Sequence, residues 1–353
     1  MVELAEFDYH LPPELIAQQP LADRAASRML VVHRDEGRWE DRGFRELASF
    51  LDAGDCLVLN DSRVFPARLL GRREGMLSLP IGAHNPKRRE YLSGEAEVFL
   101  LRAVSADGRD WEALVRPGRK MPVGERVSFS DGLEAEIIER GEFGRRTVRF
   151  HGPQDLFAEF EKIGHVPLPP YIKRPDEVAD RERYQTVYAR EKGSVAAPTA
   201  GLHFTPEVLD QCRARGAEIA HVTLHVGLGT FQPLHTERVE EGRLHSERYC
   251  VTEQNAARIR AARRVVAVGT TSVRTVESLW RSGATSGETD IFIYPGFEFR
   301  RVGALLTNFH LPRTSLLLLV CAFAGRDLAL AAYRHAVDQR YRFYSYGDCM
   351  LVL

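Results

Sequence analysis

The chain has 353 residues, a length that predicts two domains. Of these residues, 44% are hydrophobic and 27% are charged, a composition typical of a globular protein. Its 48 basic and 49 acidic side chains give a formal net charge of -1, which excludes a globally basic nucleic-acid binder but not a basic patch on one face. The five cysteines include no CxxC pair, so they indicate neither a disulfide framework nor a cysteine zinc site.

Residues 1–65 predict the opening of a layered α/β domain. LPPELIAQQP predicts a brief helix that Pro20 closes. The runs SRMLVVHR and DCLVLN predict two strands, and FRELASFLDAGD between them has the apolar spacing of a helix. An order of strand, helix and strand is typical of a layered α/β domain.

Helical periodicity disappears between residues 66 and 151, where short β-like runs follow one another. These runs are EAEVFLLRAV, DWEALVRPG, ERVSFS, LEAEIIER and RRTVRF, and Asp-Gly pairs of the kind found in hairpins join some of them. Several short antiparallel strands in succession predict a small β-barrel. The segment Met76–Ser93 has weak periodicity and is interpreted as an exposed loop.

The α/β pattern returns from residue 152 to the C-terminus. QDLFAEFEKIG, the segment after Thr205-Pro206, EQNAARIRAARR and SVRTVESLWRSG predict helices, and EIAHVTLHV and RVVAV predict strands. We therefore predict a layered α/β domain that is discontinuous in sequence, built from residues 1–65 and 152–353. A small antiparallel β-barrel domain is inserted into it at residues 66–151.

The acidic N-terminus, MVELAEFDYH, lacks the basic and apolar regions of a signal peptide. The longest apolar run is about half the roughly 20 residues that a membrane helix needs. We therefore expect a cytoplasmic protein without a membrane partner.

The segment VVAVGTTSVRTVES places hydroxyl groups and backbone amides between a predicted strand and a predicted helix. Exposed amides at a helix N-terminus bind phosphate or carboxylate groups, although an ordinary capped junction has the same sequence features. HVGLGTF resembles a dinucleotide glycine loop, but Pro233 follows where a helix would begin, so a Rossmann cofactor site is not predicted.

His221 and His225 have the i,i+4 spacing of zinc ligands on a helix, but they lie in a predicted strand. That spacing separates residues on a strand by about 13 Å, whereas zinc ligands lie about 2 Å from the ion. No HExxH motif or other ligand cluster is present in the sequence. We therefore predict no catalytic metal.

Further polar and aromatic side chains occur in predicted loops of the α/β domain, in APTAGLHF, LHSERY, TNFHLPRTS and FYSYGD. Each alone is more often structural, as a hydrogen-bonded histidine, a cap or a turn residue. Together they indicate an active site, because active sites concentrate in such loops. The sequence shows no recognisable order of catalytic-triad residues and no Walker or kinase motif.

Eight longer motifs, in order from Phe7 to the C-terminus, extend this reading. They are FDYHLPPELIAQQP, VLNDSRVFPARL, GHVPLPPYI, YQTVYAREKGSVAAPTAGLHFT, LHVGLGTFQP, VAVGTTSVRTVES, LLTNFHLPRTSLLLLVCAFAG and YRFYSYGDCMLVL. The chain resembles the S-adenosylmethionine:tRNA ribosyltransferase-isomerase family of queuosine biosynthesis. It departs from the family at Arg313-Thr314-Ser315, where lysine, serine and threonine are usual.

The resemblance implies an enzyme that transfers the ribosyl moiety of S-adenosylmethionine to 7-aminomethyl-7-deazaguanine at the wobble position of tRNA. The moiety is isomerised there to give epoxyqueuosine-tRNA, and adenine and methionine are released. S-adenosylmethionine is thus a consumed substrate, and we expect no cofactor. The implied partners are this tRNA and S-adenosylmethionine, and we expect a monomer.

The implied chemistry assigns candidate roles to the polar loop residues. A base at C5′ and an acid for adenine would come from His203, His245, Glu247 or His310, with His203 as first choice because packing explains its loop position poorly. The methionine carboxylate would bind Gly269, Thr270, Thr271, Ser272 or Arg274. The sulfonium would lie against Phe231, Tyr344, Tyr346 or Asp348. The tRNA phosphates would contact Arg116, Arg119, Lys120, Arg145, Arg146 and Arg313.

Two other classes of protein stay open at this point. One is a tRNA-binding protein without catalysis, with the barrel as its RNA-binding module. The other is an S-adenosylmethionine-dependent tRNA methyltransferase. The distinctive loops lie outside the predicted barrel, which disfavours the first class. No glycine-rich loop follows an early strand, which disfavours the second.

Overall fold

The computed structural model describes residues 2–75, 94–227, 234, 236–244 and 246–353. The chain divides into two compact units. One comprises Met1–Arg63, Leu168–Pro175 and Glu182–Leu353, and we call it the α/β unit. The other comprises Val64–Pro167 and Asp176–Arg181, and we call it the barrel unit.

The described strands are, in chain order, β1 (Arg28–His33), β2 (Arg38–Gly43), β3 (Asp55–Asn60), β4 (Ser62–Val64), β5 (Arg68–Arg73), β6 (Glu95–Ala103), β7 (Asp110–Arg116), β8 (Arg126–Ser128), β9 (Glu134–Arg140), β10 (Arg145–His151), β11 (Glu191–Ser194), β12 (Glu218–Leu224), β13 (Glu247–Cys250), β14 (Arg264–Val268), β15 (Ser286–Thr289), β16 (Val302–Asn308) and β17 (Cys349–Val352). The α-helices are α1 (Leu156–Ile163), α2 (Asp180–Arg183), α3 (Pro206–Ala214), α4 (Glu253–Ala261), α5 (Thr270–Ser282), α6 (Ser315–Ala324) and α7 (Arg326–Asp338). Short 3₁₀ helices cover Leu4–Phe7, Pro13–Leu15, Arg24–Ala26, Phe44–Phe50, Gly118–Lys120, Ser130–Gly132, Glu142–Gly144, Thr199–His203 and Val239–Glu241.

A nine-stranded mixed sheet with the order β15-β13-β12-β3-β14-β16-β17-β1-β2 forms the centre of the α/β unit. Its four middle strands, β12, β3, β14 and β16, pair in parallel. Their carboxyl ends therefore meet at one edge of the sheet, the edge at which α/β folds usually bind ligands.

Six strands of this sheet, β1, β3, β12, β14, β16 and β17, supply side chains to two separate cores, one on each face. In β1, Leu30 and Val32 lie in one core and Met29 and Val31 in the other. This alternation follows from the two-residue period of a β-strand. Strands buried on both faces read as continuous apolar runs, which is why the sequence RVVAV of β14 shows no polar alternation.

The barrel unit contains a closed antiparallel barrel with the order β10-β7-β6-β5-β8-β9. Helix α1 covers it with Phe160, whose ring centroid lies 5.5 Å from that of Trp111 and 5.1 Å from that of Phe150. This aromatic packing explains why residues 152–167, which the sequence-based boundaries assigned to the α/β domain, group with the barrel. Residues 176–181 also belong to the barrel unit.

The predicted fold class, a layered α/β domain with a small antiparallel β-barrel, is confirmed. Local assignments differ in places. The segment FRELASFLDAGD, predicted as a helix, contains only the short 3₁₀ helix Phe44–Phe50, and the unpredicted strand β2 precedes it. Strand β5 was not predicted, because Gly71 interrupts its alternation. A β-carbon at Gly71 would lie 2.7 Å from the carbonyl oxygen of Ser128, so only glycine fits there.

Among the described residues, no single helix is long and apolar enough to cross a membrane. Helices α6 and α7 reach the necessary length and composition only as a pair, and they are bent by 115° at the break between them.

Candidate active site

A cleft lies within the α/β unit at the carboxyl edge of the parallel strands. Its walls come from segments that follow three of these strands and from the loops around residues 198 and 344. The described lining residues are Tyr171, Ala197, Pro198, Thr199, Ala200, Val226, Gly269, Thr270, Thr271, Thr307, Asn308, Phe309, His310, Leu316, Tyr344 and Ser345.

Helix α5 begins at the cleft, and its first residues line it. Gly269 has φ 84°, a left-handed conformation that favours glycine, and its N–H donates to Leu306 O of the neighbouring strand at 2.8 Å. Within the described part of the chain, no side chain caps this helix. The Thr271 hydroxyl accepts from Asn60 Nδ2 at 3.2 Å. The first turn of α5 thus presents backbone amides and the positive end of a helix dipole to the cleft.

His310 is the predicted acid–base residue that lines the cleft. Its Nε2 lies 2.9 Å from Thr307 Oγ1, and its backbone N–H donates to the Tyr333 hydroxyl at 3.2 Å. Burial lowers the pKa of His310 to about 3, because the cationic form loses its hydration there. The imidazole is therefore uncharged at neutral pH.

His203 occupies the end of the 3₁₀ helix Thr199–His203 and is 3% exposed. Its Nδ1 lies 2.8 Å from Ser27 Oγ, its Nε2 lies 3.2 Å from Asn308 Nδ2, and its ring packs 5.3 Å from that of Phe44. Burial, and to a lesser degree the charges of Arg342 and Arg24, lowers its pKa to about 3. The premise that packing explains His203 poorly is wrong, since both ring nitrogens are occupied in a core. Its acid–base role stays a prediction, and the cleft geometry favours His310.

Glu247 and Arg274, predicted for catalysis and for substrate binding, form an ion pair with side-chain exposures of 7% and 6%. The Glu247 Oε1 atom also accepts from the Gly227 N–H at 2.9 Å, and Arg274 donates to Thr289 O at 3.1 Å. Neither residue lines the cleft. The ion pair therefore connects β13 with α5. The roles of Glu247 in catalysis and of Arg274 in substrate binding stay predictions.

Of the residues predicted to hold the sulfonium, Tyr344 lines the cleft. It has φ 73°, an uncommon conformation for tyrosine, and its ring centroid lies 4.0 Å from that of Tyr171. Tyr346 packs instead against Tyr184, with ring centroids 5.9 Å apart. Asp348 is 2% exposed and accepts two backbone N–H groups, and burial raises the pKa of its carboxyl. Neither Tyr346 nor Asp348 is among the described lining residues of the cleft, and their contact with the sulfonium stays a prediction.

Ser272 is completely buried, and its Oγ has no hydrogen-bond partner among the described residues. Two further predicted residues, Phe231 and His245, lie outside the described residues, as does the predicted exposed loop Met76–Ser93.

The residues predicted to contact tRNA differ in exposure. Arg116, Arg119 and Lys120 are exposed at the end of β7 and in the turn that follows it. Arg145 is half-buried and paired with Glu112 at 2.9 Å, and the exposed Arg313 pairs with Asp8. Arg146 is 5% exposed. Its guanidinium donates to the carbonyl oxygens of Arg145, Met121 and Gly118. This geometry disfavours a phosphate contact at Arg146, because three of its N–H groups donate to carbonyl oxygens of the barrel unit.

The sequence analysis assigned no role to several residues of the cleft, among them Tyr171, Thr307 and Asn308. Thr307 and Asn308 end β16, and polar residues at the carboxyl end of an apolar parallel strand are a signal for a site. Tyr171 stands in the quoted motif GHVPLPPYI, but nothing local relates it to the cleft. In the described ranges, no group of three or more His, Cys, Asp or Glu residues is arranged to hold a metal ion.

The profile of a family described as "Queuosine biosynthesis protein" matches residues 4–352. An S-adenosylmethionine:tRNA ribosyltransferase-isomerase from Solibacter usitatus is 74% identical over 352 residues, which cover 100% of both chains. The enzyme of the same name from Symbiobacterium thermophilum is 50% identical over 361 aligned positions, again with 100% of both chains covered.

A crystal structure of S-adenosylmethionine tRNA ribosyltransferase from Thermotoga maritima is similar over 99% of this chain and 100% of that one, with 40% identity and a TM-score of 0.54. The resemblance carried by the eight motifs is therefore confirmed along the whole chain. The chain belongs to the queuosine biosynthesis protein family, whose relatives described above are ribosyltransferase-isomerase enzymes.

Proposed function

We propose that this enzyme transfers the ribosyl moiety of S-adenosylmethionine to 7-aminomethyl-7-deazaguanine at the wobble position of tRNA and isomerises it there. The products are epoxyqueuosine-tRNA, adenine and methionine, so S-adenosylmethionine is consumed as a substrate and no cofactor is needed. The observation that carries the proposal is the cleft itself, which combines an uncapped helix start, aromatic rings and a neutral histidine in a member of this family.

The cleft has complementary groups for both ends of a sulfonium nucleoside. The methionine carboxylate fits the first turn of α5 at Gly269 and Thr270, where the helix dipole and the backbone amides favour an anion. The rings of Tyr344 and Tyr171 provide electron-rich faces for a sulfonium cation or for the adenine base. In this proposal, cleft residues take the roles predicted for Arg274, Tyr346 and Asp348, which are not among the described lining residues.

Proton transfer in this proposal centres on His310. The sulfonium acidifies the C5′ hydrogens of the donor, and a base must remove one of them. Because burial keeps the His310 imidazole uncharged, one of its ring nitrogens carries a lone pair at neutral pH and can accept a proton. The hydrogen bond to Thr307 fixes the ring orientation.

Contact with tRNA needs a local basic surface, because the net charge of the chain is only -1. Arg116, Arg119 and Lys120 provide three exposed cations within five residues of the barrel unit. We place the phosphate contacts there rather than at Arg146. The proposal also takes the enzyme to act as a monomer in the cytoplasm.

Product analysis by mass spectrometry tests this function. The enzyme is incubated with S-adenosylmethionine and a tRNA that carries 7-aminomethyl-7-deazaguanine, and the tRNA is digested to nucleosides. We expect epoxyqueuosine, with adenine and methionine released in equal amounts, and no product from a control tRNA with guanine at the wobble position. A methylated nucleoside would instead identify a methyltransferase, and unchanged tRNA that stays bound would identify a binding protein.

A further inference from the structure

The side-chain amide of Asn308 is held in one orientation. Its Nδ2 lies 3.2 Å from Tyr344 O, 3.3 Å from Asp348 O and 3.2 Å from His203 Nε2. Backbone carbonyls only accept hydrogen bonds, so the NH2 group must face them. The His203 Nε2 therefore accepts, and its Nδ1–H donates to Ser27 Oγ.

This orientation leaves the Oδ1 of Asn308 unused. Asn308 is 2% exposed, and its Oδ1 has no hydrogen-bond partner within the described part of the chain. A buried amide oxygen without a donor is costly and uncommon in native proteins. Since Asn308 lines the cleft, a hydrogen-bond donor of a bound ligand can satisfy the atom there.

If the proposed function holds, the position of Asn308 in the cleft indicates which hydrogen-bond donor of S-adenosylmethionine can reach its Oδ1. Leu306, two residues before Asn308, accepts from Gly269 N–H at the start of α5, where the carboxylate fits. On its other side Asn308 donates to the backbone carbonyl of Tyr344, whose ring suits the adenine base. The ribose lies between these two ends of the ligand.

We propose that Asn308 Oδ1 accepts a hydrogen bond from a ribose hydroxyl of the donor, and that His203 is the positioning residue that holds the amide in this orientation. His203 acts through Asn308 and does not itself touch the substrate. The acceptor is thereby fixed before the ligand binds, because reversing the amide would place Oδ1 against two carbonyl oxygens.

Calorimetric titration of the full chain with S-adenosylhomocysteine and with its 2′-deoxy and 3′-deoxy analogues tests the contact. We expect the wild type to bind one deoxy analogue about 10-fold more weakly, the size of one lost hydrogen bond of about 1.4 kcal/mol. Asn308→Ala should bind S-adenosylhomocysteine about 10-fold more weakly and bind the three ligands within about 2-fold of one another. Asn255→Ala, a buried asparagine in α4 away from the cleft, serves as the matched control and should behave as the wild type.

The His203 variants test the positioning role. In His203→Gln the side-chain oxygen can still accept from Asn308, whereas His203→Leu removes the acceptor. We expect His203→Gln to keep the discrimination between ribose and deoxyribose ligands and His203→Leu to lose it. Equal discrimination in both variants, at unchanged thermal unfolding, would overturn the positioning role.

Other outcomes decide the remaining points. If the wild type binds both deoxy analogues as well as S-adenosylhomocysteine, the ribose contact is wrong whether or not the variants fold. If discrimination appears only against the inosine analogue, which lacks the adenine amino group, Oδ1 reads the base instead. Failure of the wild type to bind S-adenosylhomocysteine overturns the inference. Absence of epoxyqueuosine in the product assay, with ribose discrimination intact, refutes the proposed reaction and leaves the contact standing.

Discussion

Replacing Arg274 by methionine removes one partner of the buried ion pair and takes its positive charge away from the Glu247 carboxylate. Both side chains are at most 7% exposed, so water cannot replace the lost partner. Two unit charges about 4 Å apart attract by about 4 kcal/mol at an effective dielectric constant of 20, and breaking a buried pair costs about 3–5 kcal/mol. We therefore expect Arg274→Met to lower the free energy of unfolding of the α/β unit by about 4 kcal/mol.

Urea unfolding followed by circular dichroism measures this change, and hydrogen exchange in peptides from α5 and β13 assigns it to the α/β unit. Arg248→Met is the matched control. Arg248 lies in β13, next to Glu247, and pairs with Glu288, but the two side chains are 67% and 54% exposed. Such a surface pair contributes at most about 1 kcal/mol.

A double variant completes the test. Glu247→Gln keeps an oxygen for the Gly227 N–H but removes the charge, so combining it with Arg274→Met should restore at least about 2 kcal/mol of the loss. A cost for Arg274→Met no larger than that for Arg248→Met would refute the reasoning from burial. Loss of S-adenosylmethionine binding without loss of stability would return Arg274 to the substrate site.

Three further predictions follow from the same structure. Lys120→Glu should weaken tRNA binding and reduce the slope of log affinity against log salt by about 1, whereas Arg215→Glu, beside the amino end of β12 and away from the cleft, should change neither. The free energy of unfolding should fall as the pH drops below about 6.5, by up to about 1.4 kcal/mol per pH unit for each of His203 and His310. Because their pKa values are lowered to about 3 in the folded state, only the unfolded state binds protons at these histidines in this pH range. Calorimetry at a series of pH values measures this change, and a flat profile would contradict the burial of both histidines in the uncharged form. Activity should survive chelation and dialysis with tRNA folding held constant. Loss of activity on chelation that only a divalent ion restores would contradict the prediction of no catalytic metal, for which the described residues show no ligand cluster.

The α/β class, the barrel and most strands could be predicted from the sequence because their signals are local. The run RVVAV followed by GTTS predicts a buried strand and the start of a helix from neighbouring residues alone. Short alternating runs with Asp-Gly turns likewise indicate antiparallel hairpins. The eight motifs determined the family for the same reason, since they are contiguous stretches of chain.

The tertiary structure decided which polar residues line the cleft and which form hydrogen bonds within the fold. His203 and His310 look alike in sequence, each in a loop beside small or polar residues. Only the packing of the chain places His203 against Ser27 and Asn308 and leaves His310 at the cleft. Likewise, Arg119 and Arg146 are both arginines of the barrel, but Arg146 is enclosed and its donors are used on carbonyl oxygens. Burial and hydrogen-bond partners depend on residues far apart in the chain, and these are what set the charge state and availability of a side chain.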